Sequence, residues 1–180
     1  MVGIAELLRL RPLDADTHEL VETIGKSGDA LVTILDDVLD LAYGLRSTGI
    51  EVERTDAPRL PLALADADQL AQVFLNLVIN AQQALETVPP PRKLWVRTRA
   101  GRGVVRVEIA DNGPGVPAEL QDTVFYPLIT GRQGGTGLGL AVAQDLIGRH
   151  DGLIEFDSRP GRTGFTTLLP FDNHELGQST

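Results

Sequence analysis

The stretch "GGTGLGLAVAQDLI", from Gly134 to Ile147, places several glycines directly before an apolar, helix-like run. A glycine-rich loop that leads into a helix presents backbone amides to an anion, and the helix N-terminus adds a partial positive charge. Gly135, Gly137 and Gly139 give G-x-G-x-G rather than the dinucleotide spacing G-x-G-x-x-G, and the P-loop lysine is missing. The stretch therefore predicts a phosphate-binding loop, although an ordinary glycine-rich turn is also compatible with it.

Composition and charge limit the class of protein. The chain has 180 residues, 42% of them hydrophobic, no cysteine and a net charge of −9. The lack of cysteine excludes disulfides and thiolate metal sites, three scattered histidines argue against a zinc site, and the negative charge argues against a nucleic-acid groove. No apolar run approaches the roughly 18 residues of a membrane helix, and no signal peptide is visible at Met1. We therefore expect a soluble, cytoplasmic chain without a membrane segment, in which a polyphosphate would need backbone amides or a cation.

Residues 1–47 have the pattern of a helical hairpin. From Asp16 the apolar side chains recur at alternating spacings of three and four, with Ser27 in one gap position, at Leu20, Ile24, Leu31, Leu35, Val38, Ala42 and Leu45. This spacing predicts one long helix with a narrow apolar seam, preceded by a shorter helix from Val2 to Leu10, and Pro12 separates the two. Because one hairpin cannot bury two narrow seams alone, we expect this region to dimerise into a four-helix bundle. The alternative is a hairpin that packs against its own domain.

The rest of the chain alternates between strand and helix patterns. Strands are predicted at "IEVER" (50–54), "KLWVRTRA" (93–100), "VVRVEIAD" (104–111), "LIEFDS" (153–158) and "FTTLLP" (165–170). One helix should begin at Asp66 or Asp68 and end near Glu86, and another should span Leu138 to Arg149. With a hairpin about "GRG", this order predicts a two-layer α/β sandwich, an α+β fold, over residues 48–172. The polar remainder, 173–180, is predicted to be a disordered tail.

A candidate metal-binding pair lies on the first of these helices. Asn76 and Asn80, in "LNLVINA", are four residues apart and therefore project from the same side of the helix. On a helical wheel they lie at the rim of the apolar face, where a cleft would open. Two carboxamide oxygens there could bind a hard cation such as Mg²⁺, whose other ligands would include phosphates. An ordinary pair of helix-surface amides is the alternative.

The segment "ADNGPGVP" follows a predicted strand. Asp111 at the strand end is an acceptor that could take a hydrogen bond from an exocyclic amine. Gly113 and Gly115 would let the backbone turn tightly and approach a flat ring. Taken alone, Asp-Asn-Gly-Pro is also favourable turn chemistry in any protein, so a plain turn remains the alternative.

The order of these elements is more specific than any one of them. The chain has, in order, a helix with two asparagines, the motif Asp-x-Gly-x-Gly, Phe125, and the motif Gly-x-Gly-x-Gly directly before a helix. This order resembles the ATP-binding domain of sensor histidine kinases, in the superfamily shared with gyrase, Hsp90 and MutL. "QVFLNLVINAQQAL" is similar to the N box of that family, "DNGPGVP" to the G1 box, "VFYPLIT" to the F box and "GGTGLGLAVAQDLI" to the G2 box. The similarity covers about Asp66 to Pro170 and is especially close to nitrogen-regulation kinases of the NtrB type.

The resemblance implies which ligand the site binds. In this family the glycines hold the phosphates of ATP beneath a mobile lid, here about Phe125 to Gly134, and Asp111 would bind the adenine amine. Asn80 would hold Mg²⁺ with help from Asn76, and Arg132 in the lid is a candidate for the terminal phosphates, its alternative being a solvated loop charge. The implied ATP site comprises Asn76, Asn80, Asp111, Gly113, Gly115, Arg132, Gly135, Thr136, Gly137, Leu138 and Gly139.

Two positions refine the resemblance. Asn76 stands where the hydrolytic relatives carry a glutamate as general base for water, and an amide cannot take that proton. Phosphoryl transfer to a protein acceptor is therefore a better expectation than ATP hydrolysis. The family often has a threonine, which helps to bind adenine through water, just before the Phe of its last strand. Here that position is Gly164 and Thr163 comes one residue earlier, so Thr163 is left out of the predicted site.

The histidine that would accept the phosphoryl group is not evident. The N-terminal hairpin resembles the family's dimerisation and phosphoacceptor bundle, but the sequence His-Glu-x-x-x-Pro occurs nowhere in the chain. His18 is followed by Glu19, yet Thr23 stands where proline belongs, and His150 and His174 match nothing. We expect the ATP-binding core of a two-component histidine kinase, dimeric through the hairpin, acting with the receiver domain of a response regulator. The alternative is a catalytically silent nucleotide-binding module that docks such a regulator.

Overall fold

The structure, a computed structural model, describes residues 28–41, 49–61, 65–129 and 136–171. Its helices are α1 (Gly28–Leu41), α2 (Ala67–Leu85), α3 (Ala118–Gln121) and α4 (Gly139–Gly148). Its strands are β1 (Ile50–Thr55), β2 (Arg92–Gly101), β3 (Val104–Asp111), β4 (Leu153–Arg159) and β5 (Arg162–Pro170). None of the helices in these ranges is long and apolar enough to cross a membrane.

The five strands form one mixed sheet in the order β1-β2-β3-β5-β4. β1 pairs with β2 in parallel, and the other three pairings are antiparallel. The side chains of β3 alternate between the helix side, where Val105, Val107 and Ile109 are buried, and the solvent side. Helices α2 and α4 pack against each other and against strands of the sheet. The predicted two-layer α/β sandwich is confirmed, and so are all five predicted strands, while the short helix α3 was not predicted.

Helix α2 is the central element of the helical layer. It begins after Asp66, whose backbone is extended and whose Oδ1 accepts a hydrogen bond from the N–H of Gln69 at 3.0 Å. This contact satisfies one of the free amides of the first turn and selects Asp66 over Asp68 as the cap. Val73, Phe74 and other apolar side chains of one face are fully buried. Burial of each such side chain stabilises the fold by about 1.5–3 kcal/mol.

Helix α1 packs onto this same layer. Leu35 and Val38 are each 1% exposed and belong to the same apolar core as α2. Arg54 on β1 donates one hydrogen bond to the carboxylate of Asp36 and another to the carbonyl of Val32 at 3.1 Å. The seam residues of this part of the predicted long helix are therefore covered by the chain's own domain, which was the alternative to the bundle. Dimerisation stays a prediction, and residues 1–27, 42–48 and 172–180, with the rest of the hairpin and the tail, lie outside the described residues.

Candidate functional site

Asp111 ends β3 and lies at one end of the candidate site. Its side chain is 2% exposed, and Oδ1 accepts a hydrogen bond from the backbone N–H of Gly113 at 2.8 Å. A Cβ on Gly113 would lie 2.6 Å from that oxygen and 3.1 Å from the Cβ of Ala84 on α2. Glycine at this position therefore follows from the close approach of the strand end, the loop and the helix. The Asp111 carboxylate, which is predicted from the sequence to accept a hydrogen bond from the adenine amine, is thus held in one position by the packing around it.

The β4–β5 turn supports the loop that follows Asp111. Gly115 has φ +84°, in the left-handed region that favours glycine, and a Cβ there would lie 2.8 Å from the carbonyl carbon and oxygen of Arg159. The N–H of Gly161, in the turn, donates to the carbonyl of Gly113 at 3.0 Å. Only glycine permits this contact between the loop and the β4–β5 turn. The loop after Asp111 is itself a tight turn, as its sequence allows, and the β4–β5 turn holds its backbone beside Asp111.

Side chains tie the same loop to its neighbours on both sides. Asn112 Oδ1 accepts from the N–H of Lys93 at 2.7 Å, and its Nδ2 donates to the carbonyl of Pro91 at 2.9 Å. On the other side, the N–H of Val116 donates to Ser158 Oγ at 2.8 Å. These contacts connect the loop to the start of β2 and to β4. The loop is therefore positioned by the sheet rather than by its own turn geometry alone.

Thr163, which was left out of the predicted site, lies beside Asp111 in the structure and becomes a candidate site residue. It is 4% exposed and lies directly opposite Asp111 in the β3–β5 pairing, so both side chains are on the helix side of the sheet. Its Oγ1 is 3.0 Å from Ser158 Oγ. Gly164, which occupies the position of the family's threonine, is on the other side of the sheet from Thr163. The alternation of a strand, counted back two residues from Phe165, places Thr163 rather than Gly164 on the helix side of the sheet.

Helix α2 connects the two ends of the site. Asn76 is 8% exposed, and a Cβ on Gly139, the first residue of α4, would lie 3.7 Å from its Cγ. Two turns further along α2, Ala84 contacts the loop at Gly113. Asn80 lies midway between them on the same side and is half-buried. Eight residues of helix span about 12 Å, so α2 carries the two asparagines from the α4 N-terminus toward Asp111.

The start of α4 carries backbone amides that a ligand could bind. The N-cap residue Leu138 makes no side-chain hydrogen bond to the first turn, so no side-chain cap is seen there among the described residues. Gly137 has φ +65°, and a Cβ there would lie 2.7 Å from the carbonyl carbon of Leu128. The N–H of Leu128 also donates to the carbonyl of Gly137 at 2.9 Å. The glycine-rich loop thus packs closely against the described start of the predicted lid.

Phe125, in the stretch compared with the F box, fixes that start of the lid to the sheet. Its ring meets Phe156 and Phe165 edge to face, with ring centroids 6.4 Å and 6.0 Å apart. Phe156 and Phe165 are themselves in contact at 5.1 Å between centroids. Edge-to-face contacts are favourable geometries for aromatic pairs. The three rings therefore join the segment after α3 to β4 and β5.

The structure brings together most of the predicted ATP-site residues. These residues form two groups, one around the end of β3 and one around the start of α4, and helix α2 joins the two groups. The predicted residues brought together in this way are Asn76, Asn80, Asp111, Gly113, Gly115, Thr136, Gly137, Leu138 and Gly139. Arg132, Gly135, His18 and His174 lie outside the described residues.

His150, which matched no motif, has a structural place away from this site. Its Nδ1 is 2.7 Å from the carbonyl of Leu146, and its Nε2 accepts from the N–H of Asp66 at 3.0 Å. This pattern requires the neutral tautomer with the proton on Nδ1. The side chain joins the end of α4 to the start of α2. It therefore braces the two helices that carry the site.

The donor set around α2 bears on whether a metal could be held. Among the residues that the structure describes, no group of three His, Cys, Asp or Glu side chains is arranged to hold a metal ion. A cation in this region would take amide oxygens, such as those of Asn76 and Asn80, together with phosphates of a ligand. Mg²⁺ accepts such a set because it takes few protein ligands and is often bound through substrate phosphates. The residues present fit a nucleotide-bound Mg²⁺.

Comparison with known proteins identifies the family. The sequence profile described as "Histidine kinase-, DNA gyrase B-, and HSP90-like ATPase" matches residues 65–173. Among curated proteins, the "Sensory histidine kinase/phosphatase NtrB" of Vibrio alginolyticus is 45% identical over 155 residues, 81% of this chain and 44% of that protein. The protein of the same name from Escherichia coli O157:H7 is 42% identical over 161 residues, 84% of this chain and 44% of its own length. The chain thus spans less than half of the curated relatives that it matches here.

Solved structures give the same result. The nucleotide-free catalytic domain of the histidine kinase ThkA superposes with a TM-score of 0.69 at 29% identity, over 78% of this chain and 93% of that one. Full-length ShkA in complex with AMPPNP gives a TM-score of 0.67 at 29% identity, over 77% of this chain and 29% of that chain. The profile, the relatives and the fold agree, and the chain belongs to the family of histidine kinase-, DNA gyrase B- and HSP90-like ATPases.

Proposed function

We propose that this chain is the ATP-binding catalytic part of a cytoplasmic two-component sensor histidine kinase of the NtrB type. It would transfer the γ-phosphate of ATP to a histidine, for relay to an aspartate in the receiver domain of a response regulator. The observation that carries the proposal is the arrangement along α2, where Asn76 lies beside the first residue of α4 and Ala84 contacts the loop beside Asp111. The names of the curated relatives support the reaction class.

Each end of the site would bind one end of the nucleotide. The buried Asp111 carboxylate would accept a hydrogen bond from the adenine amine, with Gly113 and Gly115 keeping the backbone close to the ring. The amides of the glycine-rich loop, from Gly135 to Gly139, would hold the phosphates at the start of α4. Thr163 would line the adenine end because it faces the same side as Asp111.

Asn80 would hold Mg²⁺ with help from Asn76, and Arg132 would contact the terminal phosphates. The bound ion would supply positive charge that neutralises the triphosphate during transfer. Asn76 would not serve as a general base, because a carboxamide cannot take a proton from water. The site would therefore protect ATP from hydrolysis and hold it for an incoming imidazole. Positioning of the two reactants supplies much of the catalysis in phosphoryl transfer.

The proposed organisation has residues 1–47 as part of a dimerisation hairpin, 48–172 as the ATP-binding domain and 173–180 as a tail. The given residues contain no His-Glu-x-x-x-Pro box, so the acceptor histidine would lie outside them, in a phosphoacceptor bundle. The docked α1 helix, with Leu35 and Val38 in the domain core, would link that hairpin to the ATP-binding domain.

The test is phosphoryl transfer from ATP labelled on its γ-phosphate. The chain is incubated with a separate histidine-bearing bundle from a related kinase, and with the same bundle lacking that histidine. We expect acid-labile label on the first bundle, none on the second, and none on this chain alone. Free labelled phosphate without any labelled bundle would identify an ATPase and contradict the proposal. Label on the isolated chain that vanishes in His18→Ala would make His18 the acceptor.

A further inference from the structure

The β2–β3 hairpin carries a cluster of arginines on a chain whose net charge is −9. Arg99 and Arg106 are direct partners across β2 and β3, on the solvent side of the sheet. Arg102 occupies the turn between the strands. Together with Ala100 and Gly101, these three arginines line a surface hollow of about 400 Å³. The hollow is a concentration of positive charge that no role in nucleotide binding explains.

Two features of this hairpin oppose folding rather than favour it. Like charges directly opposite each other on neighbouring strands destabilise a sheet, and Arg99 and Arg106 form such a pair. Arg102 has φ +54°, a left-handed conformation in which glycine or asparagine would be less strained. Both features bring a guanidinium to the same hollow. Residues whose conformation or charge lowers the stability of the fold are expected where they serve binding.

The charges of the cluster are poorly compensated inside the protein. Among the described residues, neither Arg99 nor Arg102 has an ion pair with an acidic side chain. Arg106 has Glu155 as its partner, at 3.8 Å, and its side chain is 42% exposed. The nearby Glu108 carboxylate is bound by two other arginines of the sheet. The hollow therefore keeps guanidinium groups that can form bidentate hydrogen bonds with an incoming anion.

An apolar strip continues the arginine row across the sheet. Arg106 pairs with Leu168 on β5, and Leu168 pairs with Leu153 on β4, so all three side chains share the solvent side. Leu153 is 56% exposed. With neighbouring strands about 4.8 Å apart, the row from Arg99 to Leu153 is about 14 Å long. Arginine beside apolar surface is typical of the centre of a protein–protein interface, and a free anion would leave the leucines uncovered.

This surface is separate from the candidate ATP site. The hollow lies at the Val104 end of β3, whereas Asp111 ends the same strand about 24 Å away, at 3.4 Å per residue. The arginines face solvent, whereas Asp111 faces the helices. The inference therefore does not rest on the proposed function, and each can fail without the other.

We propose that this arginine-leucine surface, defined by Arg99, Arg102, Arg106, Leu153 and Leu168, docks an acidic segment of a partner protein. Carboxylates of the segment pair with the guanidinium groups at the hollow, and an apolar side chain covers the two leucines. Charge complementarity carries the choice of partner. A nucleic acid is disfavoured because the chain as a whole is strongly negative and would repel a long phosphate backbone.

The probe for this surface is a short fluorescent peptide of alternating glutamate and leucine, and its binding is followed by anisotropy at low salt. The test variant combines Arg99→Gln with Arg102→Gly. Arg102→Gly relieves the left-handed strain, so this variant should fold at least as well as the parent. The matched control combines Arg59→Gln with Arg149→Gln, which removes the same charge from exposed positions elsewhere.

We expect the peptide to bind the parent and the control alike, and to bind the test variant at least about tenfold more weakly. A peptide with glutamine in place of glutamate should not bind, and AMPPNP affinity should be unchanged in the test variant. Equal binding of parent and test variant, or of the two peptides, would overturn the proposal. So would tighter binding of inorganic phosphate or duplex DNA than of the peptide, or loss of self-association in the test variant, which would make a second copy the occupant.

Discussion

The two ends of the candidate site are built in different ways. At the Asp111 end, the loop 111–117 accepts hydrogen bonds from the start of β2 and from the β4–β5 turn, and it donates one to Ser158 on β4. At the α4 end, the N–H of Leu128 donates to the carbonyl of Gly137, the N–H of Leu138 is 3.5 Å from Thr136 Oγ1, and no side-chain cap of α4 is seen among the described residues. In the part of the chain that the structure describes, the first end is held by more hydrogen bonds, and the second offers backbone amides to a ligand. Under the proposed function, the Asp111 end would therefore determine which base binds, and the α4 end would depend on the nucleotide and its metal.

The largest expected effect on nucleotide affinity comes from removing the Asp111 carboxylate. Asp111→Ala should weaken AMPPNP binding at least about 100-fold, because a site built to hydrogen-bond a ligand group loses much of its affinity without that bond. Isothermal titration calorimetry measures the loss. Asp157→Ala, at an exposed carboxylate on β4, is the matched control and should bind as the parent does. Equal affinities of parent and Asp111→Ala would remove Asp111 from the adenine site.

Gly113→Ala tests how closely the Asp111 end is packed. The new Cβ would lie 2.6 Å from Asp111 Oδ1, so the carboxylate or the loop must move. We expect the free energy of unfolding to fall by about 1–3 kcal/mol, as for other overpacked sites, and nucleotide binding to weaken with it. Urea denaturation gives the stability. Gly101→Ala, where a Cβ meets nothing within 4 Å, should change neither property, and a neutral Gly113→Ala would show that the loop is loose.

Asn80→Ala tests the metal role in the middle of the site. Binding of AMPPNP with Mg²⁺ should weaken about tenfold, while binding without metal should change less than about twofold, because only the metal-bound form uses the carboxamide oxygen. Gln144→Ala, an exposed amide on α4, is the control. Equal losses with and without Mg²⁺ would show that Asn80 does not hold the metal.

The smallest effect is expected at the start of α4. A Cβ on Gly139 would lie 3.7 Å from Asn76, an ordinary contact, and the phosphate would be bound by the backbone amide rather than by a side chain. Gly139→Ala should therefore change AMPPNP affinity less than about threefold and raise stability by up to about 1 kcal/mol through its helix propensity. Thermal unfolding with and without nucleotide measures both. A large loss of affinity would mean that the phosphates approach Gly139 more closely than this geometry implies.

The sequence predicted the fold well because its periodicities are unambiguous. Three predicted features depend on local rules that the structure obeys. They are the alternation of apolar and polar side chains in β2 and β3, the turn at Arg102 and Gly103, and Asp66 as the N-cap of a helix. The candidate site residues on α2, after β3 and before α4 could be named because the spacing of their motifs is specific, and their role in binding ATP stays a prediction. Their order along the chain does not reveal distances, so the meeting of Asn76 with Gly139 required the structure.

Two features could not be obtained from local pattern. The apolar seam of α1 shows that one face is covered, but not by what, and the structure covers Leu35 and Val38 with the ATP-binding domain. The position of Thr163 beside Asp111 depends on the β3–β5 register, which pairs the two residues. Register is a long-range property of strand pairing and is not written in the residues around Thr163.

The most direct test is a crystal structure of this chain with Mg²⁺ and AMPPNP. We predict that the adenine amine contacts the carboxylate of Asp111, that the metal lies beside Asn80, and that the phosphates meet the backbone amides leading into Gly139. One nucleotide would then extend along α2 and join the two ends of the site. An adenine bound away from Asp111, or phosphates away from the start of α4, would contradict this account.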